Sequence, residues 1–271
     1  MAAEGGEEAG SLQGAADDRR RYPTRSGSIF SVKAVPYCAL PQPAEGKADQ
    51  APRGTVTEIV LHNYFRSSTS YRVRIALNMK GLDYTYVAHH LRHGGNRAPE
   101  YLAVNPQGLV PALVWSDGTM IAQSLAIIEF LDEMQPDPPL LPADPHGRAR
   151  VRMLSQMIGC DTHPVNNLRV LNALRSRYGA DDAEIASWFR HWVNETFEPL
   201  EKILSESPQT GTFCHGETPG MADICLIAQV ANNARFNVDM SAYPTIARIR
   251  DACMALPAFE EAAPAHQPDA E

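Results

Sequence analysis

Positive charge, cysteine and long apolar runs are all scarce in this 271-residue sequence. With 24 Lys and Arg against 32 Asp and Glu, the formal net charge is −8. Nucleic-acid-binding proteins are usually basic, so this charge argues against a nucleic-acid partner. No apolar run approaches the roughly 20 residues that a membrane-spanning helix needs. We therefore expect a soluble protein that has no membrane partner.

The five cysteines are an odd number and show no spacing typical of a metal site. Scattered, reduced thiols are usual in the cytoplasm, which is where we expect the protein to act. Among the nine histidines, four crowd residues 62–93, but they do not form a ligand pattern either. The sequence therefore predicts no metal centre.

Residues 1–55 show little apolar periodicity and are rich in Ala, Gly, Pro, Arg and Glu. We expect them to be a disordered extension, or the result of a start site assigned too early when translation begins near Val56. Four arginines with nearby serines hint at a transit peptide, but the acidic residues of the same stretch argue against one.

A strand that turns into a helix through hydroxyl residues follows this extension. Ile59 and Leu61 alternate with polar neighbours, as in a half-buried strand. Four hydroxyl residues come next, Ser67 to Ser70, and Gly81 ends the helix. The helical stripe consists of Val73, Ala76, Leu77 and Lys80. Such a corner suits an anion, because helix N–H groups and side-chain hydroxyls point to one place. An ordinary helix N-cap is the alternative for this stretch alone.

Residues 56–137 form the first predicted domain, and residues 143–265 form the second. A chain of 271 residues is long enough for one large or two modest domains, and its 44% hydrophobic content is typical of a globular protein. In the first domain we predict strands at 57–64, 84–91, 110–115 and 119–122, and helices that start near 68, 99 and 124. This βαβ and ββα order is typical of a thioredoxin-like layer. The second domain shows helical periodicity throughout.

Two stretches of the first domain resemble a known family. The segment Asn105–Leu113, followed by Asp117–Gly118 and by a Gln-Ser pair that opens a helix, resembles the glutathione-binding half of a glutathione transferase. Residues 67–77 read Ser-Ser-x-Ser-x-Arg-Val-Arg-Ile-Ala-Leu, which is similar to the zeta-class signature. The resemblance extends from about residue 58 to about residue 269. It implies the glutathione transferase fold, an α+β thioredoxin-like N-terminal domain followed by an all-α C-terminal domain.

The resemblance also implies a function. Zeta-class proteins resemble glutathione-dependent cis-trans isomerases of maleylacetoacetate or maleylpyruvate, which belong to tyrosine and phenylalanine or to gentisate catabolism. A thiolate adds to the double bond, the resulting single bond rotates, and the thiolate leaves, so glutathione is a cofactor that is not consumed. Thr69 stands where the maleylacetoacetate enzymes usually carry Cys, and it is the residue of bacterial maleylpyruvate isomerases. A small dicarboxylate substrate and a homodimer are further implications.

The implied catalytic residues are Ser67, Ser68 and Thr69, whose hydroxyls would favour the thiolate together with the helix dipole. The implied glutathione-binding residues are Val110, Gln123, Ser124, and His93 or Asn96. The backbone of Val110, next to a cis bond to Pro111, would pair with the cysteinyl part of glutathione. Gln123 and Ser124 would hold its γ-glutamyl carboxylate. His93 or Asn96 would hold its glycine carboxylate.

The implied substrate-binding residues are Arg66, Arg169 and Arg235, with His163 and Asn167 beside them. Arginine suits carboxylates and enolates because its planar fork can bind two oxygens. We assign Arg72 and Arg74, inside the first helix, to structure. Two other functions stay open: a transferase that conjugates or dehalogenates small anionic electrophiles, and a binding subunit without catalysis.

Overall fold

The sheet layer comes first in the chain. The structure is a computed structural model that describes residues 58–271, so the prediction for residues 1–55 lies outside the described residues. The elements are β1 Val60–Asn63, α1 Ser68–Met79, β2 Thr85–Ala88, 3₁₀ turns at Leu91–His93 and Gly95–Arg97, α2 Pro99–Val104, β3 Ala112–Val114, β4 Met120–Ala122 and α3 Ser124–Met134. Each predicted strand is found, although shorter than the sequence pattern suggested.

The four strands form one sheet in the order β2-β1-β3-β4. Strand β1 is parallel to β2 and antiparallel to β3, so that Val60 lies opposite both Thr85 and Val114. Strand β4 pairs antiparallel with β3. The parallel pair is joined across α1 and the hairpin leads into α3, which confirms the thioredoxin-like βαβ and ββα arrangement.

All remaining elements are helices or helical turns. They are α4 Pro145–Gln156, a π-helical segment Met157–Thr162, α5 His163–Val165, α6 Leu168–Tyr178, α7 Asp182–Glu206, α8 Met221–Ala234, α9 Pro244–Met254, α10 Pro257–Glu260 and a 3₁₀ turn Pro264–His266. The predicted fold class is thus confirmed. The proposed boundary between residues 137 and 143 stays a prediction, since the described residues belong to one compact unit.

Helix α1 is the element on which the two parts of the fold meet. It packs against α3 of the sheet layer and against α8 and α10 of the helical part. Because α1 is enclosed on several sides, even its two arginines are buried, with Arg72 1% and Arg74 0% exposed. A charged side chain is rarely buried unless other groups satisfy it. The hydrogen-bond partners of Arg72 and Arg74 therefore indicate whether each side chain stabilises the fold or takes part in a ligand site.

The start of α3 differs from the prediction. We expected Ser124 to cap this helix, but the helix begins at Ser124 and its N-cap is Gln123, which makes no side-chain cap hydrogen bond. The Ser124 hydroxyl accepts a hydrogen bond from Arg72 instead. Among residues 58–271, no helix is long and apolar enough to cross a membrane.

Candidate functional site

The hydroxyl corner at the start of α1 contains a chain of hydrogen bonds. Ser67 is the N-cap, and its Oγ accepts from the Ser70 N–H at 3.2 Å. The Thr69 hydroxyl donates to the Val110 carbonyl at 3.0 Å and lies 2.8 Å from the Ser67 hydroxyl. A hydroxyl has one proton, so Ser67 must donate to Thr69. The protons of Ser67 and Thr69 are therefore both committed within the protein.

Ser68 is different from its two neighbours. Its hydroxyl has no hydrogen-bond partner among residues 58–271, and the side chain lines a cavity of about 480 Å³. Arg66 lines the same cavity from the sheet layer, and Asn232 and Arg235 line it from the end of α8. The structure thus brings together one predicted hydroxyl and two predicted arginines that are far apart in the sequence.

The cavity is strongly cationic at Arg235. Its Nη1 donates to Asn232 Oδ1 at 3.0 Å, and its guanidinium lies 5.6 Å from the centre of the Phe236 ring. Partial desolvation lowers the pKa of Arg235, and the positive charges of Arg66 and Arg92 lower it further. Like charges repel unless an anion lies between them, so the wall with Arg66 and Arg235 favours a negatively charged ligand. The Glu271 carboxylate also lines the cavity, where it contacts His90 Nε2.

A second cationic region lies at the start of α3. Arg72 Nη1 donates to Ser124 Oγ at 3.3 Å. The Nε and Nη2 atoms of Arg72 are buried, and neither has a hydrogen-bond partner among the described residues. Leaving a buried cation without a counter-charge is costly. This region therefore suits a carboxylate of a ligand that binds the Ser124 hydroxyl at the helix N-terminus, with the Arg72 charge behind it. The γ-glutamyl end of glutathione carries such a carboxylate.

Gln123, the residue before α3, has a strained backbone. Its φ is 72° and its ψ is 114°, a combination that residues with a side chain rarely adopt. Its amide donates to Gln107 Oε1 at 2.8 Å. Strained residues of this kind cluster at ligand sites. The position beside the positive end of the α3 dipole supports the predicted role of Gln123 in holding a carboxylate.

Val110 supplies the backbone pairing groups that the sequence predicted. The Val110–Pro111 peptide is cis, as expected. The Val110 carbonyl accepts from Thr69, which leaves one further lone pair. Its N–H has no partner within residues 58–271. A donor and an acceptor on one residue fit the backbone of a bound peptide, and together with Arg72 and Ser124 they fit glutathione.

The structure does not place Arg169, His163 or Asn167 on the cavity wall. Asn167 caps α6, and its Nδ2 donates to His163 Nε2 at 3.3 Å. Burial lowers the pKa of His163 to about 3, helped by the charges of Arg72 and Arg169. His163 and Asn167 therefore contact each other, and the charges of Arg72 and Arg169 both act on His163. His163 is neutral, and its one acceptor nitrogen, Nε2, accepts the hydrogen bond from Asn167.

The two candidates for the glycine carboxylate lie on the turns after β2. His93 is exposed and stacks on His90, with 3.9 Å between the ring centres. Asn96 Nδ2 donates to the Gly108 carbonyl at 2.6 Å, which ties the turn to the segment before Val110. Neither side chain lines the cavity with Arg235. Their roles stay predictions.

Sequence reasoning missed several residues of these regions. Asn232 lies three residues before Arg235, and Arg72 lies four residues after Ser68. Residues at these spacings are neighbours on one face of a helix, so Asn232 and Arg72 could have been found from the two predicted residues. Arg92 was missed because it lies on an irregular turn. Residues 264–271, which supply one side of the cavity, carry no local signal of this role.

In the described part of the chain, no group of His, Cys, Asp and Glu could hold a metal ion.

Comparisons with known proteins agree with this geometry. Residues 66–134 match the model of the glutathione S-transferase N-terminal domain. A maleylpyruvate isomerase of a Ralstonia species is 47% identical over 209 residues, which are 77% of this chain and 98% of the relative.

Two solved structures extend the likeness to the whole described chain. The holo structure of a maleylpyruvate isomerase, a bacterial zeta-class glutathione transferase, is 46% identical with a TM-score of 0.77, and the match covers 78% of this chain and 100% of that one. A maleylacetoacetate isomerase of Methylobacterium extorquens AM1 with bound malonate and glutathione is 41% identical with a TM-score of 0.76, covering 78% and 99%. With this identity and coverage, the chain belongs to the zeta-class glutathione transferases, the family of the maleylpyruvate and maleylacetoacetate isomerases.

Proposed function

We propose that the protein is a glutathione-dependent cis-trans isomerase of a small unsaturated diacid, either maleylpyruvate or maleylacetoacetate. One observation carries the proposal: Arg66, Arg235 and the Ser68 hydroxyl line one cavity at the start of α1. Two guanidinium groups suit a substrate with two carboxylates. The related isomerase that binds malonate and glutathione together supports this pairing of ligands.

Glutathione would lie along Val110, with its γ-glutamyl carboxylate at Gln123, Ser124 and Arg72. When bound, it supplies a nucleophilic sulfur that converts the double bond transiently into a rotatable single bond. The strained Gln123 backbone and the uncompensated charge of Arg72 both lie at the start of α3, and a carboxylate held there would account for both.

The protein's own groups then have separate roles. The Ser68 hydroxyl would donate a hydrogen bond to the sulfur and so favour the thiolate over the thiol, whose ordinary pKa is about 8.5. The positive end of the α1 dipole acts in the same direction. Arg66 and Arg235 bind the carboxylates of the diacid and stabilise the negative charge that develops on its enolate oxygen.

The direct test follows the absorbance of maleylpyruvate and of maleylacetoacetate with and without glutathione. We expect isomerisation that requires glutathione and leaves its thiol concentration unchanged. The ratio of kcat/KM for the two compounds then identifies the substrate. A full rate without glutathione would contradict the proposal.

The same assay separates the two rival functions. Steady loss of thiol with haloacids, at a higher kcat/KM than isomerisation, indicates a transferase of small anionic electrophiles. No turnover with either class of compound, together with retained glutathione binding, indicates a binding subunit without catalysis.

We also propose that the protein acts as a homodimer in the cytoplasm. Three large exposed apolar side chains, Met120, Met134 and Met153, lie on β4, α3 and α4, and a partner subunit would cover them. The cysteines at 160, 214, 225 and 253 are not in disulfides, which suits a reducing compartment. Light scattering should give twice the monomer mass, and Met134→Glu should shift the mass towards the monomer.

A further inference from the structure

The backbone of Phe65 is held on both sides by charged side chains. Its N–H donates to Asp269 Oδ2 at 3.2 Å, and its carbonyl accepts from Arg74 Nη2 at 3.1 Å. The two partners carry opposite charges and come from different places, since Arg74 lies in α1 and Asp269 lies 204 residues after Phe65. The second oxygen of Asp269 accepts from the Tyr86 hydroxyl on β2.

The negative charge of Asp269 also acts on Arg74. Arg74 is fully buried and donates to the Ala262 carbonyl at 3.0 Å, so it anchors the segment that leads to Asp269. Burial lowers the pKa of Arg74, and the negative charge of Asp269 is one of the influences that oppose this effect. Phe65 itself is 5% exposed, so its peptide groups need partners within the protein.

Arg66 follows Phe65 directly and depends on this backbone for its direction. Arg235 is held by a hydrogen bond to Asn232, but Arg66 has no side-chain hydrogen bond within residues 58–271. Its guanidinium carbon lies 5.8 Å from the centre of the Phe65 ring. Fixing the two peptide groups of Phe65 therefore fixes the place from which the Arg66 side chain enters the cavity.

We propose that Asp269 is a positioning residue for Arg66. With Arg74 it holds the backbone on both sides of Phe65, and this sets the spacing of Arg66 and Arg235 across the cavity. The inference rests on the proposed function in one respect, that the cavity takes a diacid. The glutathione region at Val110 and Ser124 makes no hydrogen bond to Asp269 in the described part of the chain, so its affinity for glutathione does not depend on this residue.

The test measures malonate binding in the presence of saturating glutathione, and glutathione binding separately, by calorimetry. Asp269→Asn keeps the shape of the side chain and removes its charge. We expect about a tenfold weaker affinity for malonate and a glutathione affinity within twofold of the wild type. The matched control is Glu261→Gln, which removes an exposed carboxylate of the same segment and should change neither affinity.

Two further variants decide whether Asp269 acts through Arg66. In the Arg66→Met background, adding Asp269→Asn should weaken malonate binding by less than twofold, because the residue that Asp269 positions is gone. Tyr86→Phe removes one donor to Asp269 and leaves both charges. It should weaken malonate binding by about threefold, and it decides the question if Asp269→Asn does not fold.

Three results from the variants would overturn the inference. They are an equal loss of malonate and glutathione affinity, additive effects in the double variant, and unchanged malonate affinity in both Asp269→Asn and Tyr86→Phe. A wild-type protein that does not bind malonate overturns it as well. A wild-type protein that binds malonate but isomerises neither diacid refutes the proposed function and leaves the positioning role to stand on the binding data.

Discussion

Arg72 and Ser124 are joined by a hydrogen bond of 3.3 Å, which links the middle of α1 to the first residue of α3. The bond uses one edge of a guanidinium whose Nε and Nη2 have no other partner in the described structure. Ser124 accepts from Arg72 and keeps its own proton to donate. The two residues therefore form a donor pair beside the N-terminus of α3, where a carboxylate would complete the site.

Arg72→Met should weaken glutathione binding by at least about tenfold, because the buried counter-charge of the carboxylate is removed. The stability of the ligand-free protein should stay equal or rise, since an uncompensated buried charge is removed with the side chain. Calorimetry measures the first effect. Thermal unfolding with and without glutathione measures the second, and the stabilisation by glutathione should shrink.

Arg74→Met is the matched control for that experiment. Arg74 lies two residues further along α1, is equally buried, and donates to acceptors from Asn63, Tyr64, Phe65 and Ala262. Removing it leaves these acceptors without a partner, so we expect a loss of about 3 to 5 kcal/mol in the free energy of unfolding. Equal destabilisation by the two substitutions would contradict the distinction between them.

Ser68→Ala should lower kcat/KM by about a hundredfold, as the loss of one donor to a developing anion does in other enzymes. The loss should shrink as the pH rises towards 9, because the thiolate then forms without help. Ser67→Ala should instead destabilise the fold by about 1 kcal/mol through loss of the N-cap, with kcat/KM within a few-fold of the wild type. The pH–rate profile and the melting temperature of both variants test this. A larger catalytic loss in Ser67→Ala would reverse the assignment.

Arg235→Met should raise the KM for the diacid by about ten- to a hundredfold, which corresponds to losing one charge-assisted hydrogen bond. Arg169→Met should change this KM by less than threefold, because Arg169 does not line the cavity. Its effect should appear in glutathione affinity, since its charge acts on His163 beside Arg72. Initial rates with each ligand varied in turn separate the two outcomes, and a similar KM change in both variants would show that Arg169 also reaches the diacid.

His163 should make the protein sensitive to acid. Burial holds its pKa at about 3, below the ordinary 6.5, so between these values the unfolded chain binds a proton that the folded protein does not. Stability is therefore kept above pH 6.5 and falls as the pH drops, by about 2 kcal/mol between pH 7.5 and pH 5. Urea unfolding at the two pH values should show a smaller drop for His163→Gln. His146→Gln, at an exposed position, should retain the wild-type drop; an identical drop in all three proteins would contradict the prediction.

Much of the fold could be predicted because its signals are local. Alternation around Leu61 indicated β1, the hydroxyl run and Gly81 bounded α1, and Gly81 indeed has a φ of 63°. The start of α3 was wrong by one residue because Ser124 is a good N-cap by type. Arg72 competes for its hydroxyl from another helix, and a local pattern cannot show this.

Only part of the candidate site was predicted from the sequence. The physical reason why a residue was predicted or missed differs from residue to residue. Arg66, Ser68 and Arg235 meet at one cavity as expected, since the resemblance supplied their joint placement. Arg72 looked structural because a helical pattern does not show which buried donors stay without partners. The contact of Asp269 with Phe65 spans 204 residues, and a separation of that size leaves no trace in spacing or periodicity.

Helix α1 carries two groups of the proposed glutathione site, the Ser68 hydroxyl and the Arg72 guanidinium, which are four residues apart, about one turn and 6 Å along the helix axis. A single inserted or deleted residue between them would rotate one side chain by about 100° relative to the other. Loops generally tolerate changes of length, but the segment of α1 between Ser68 and Arg72 must keep its number of residues.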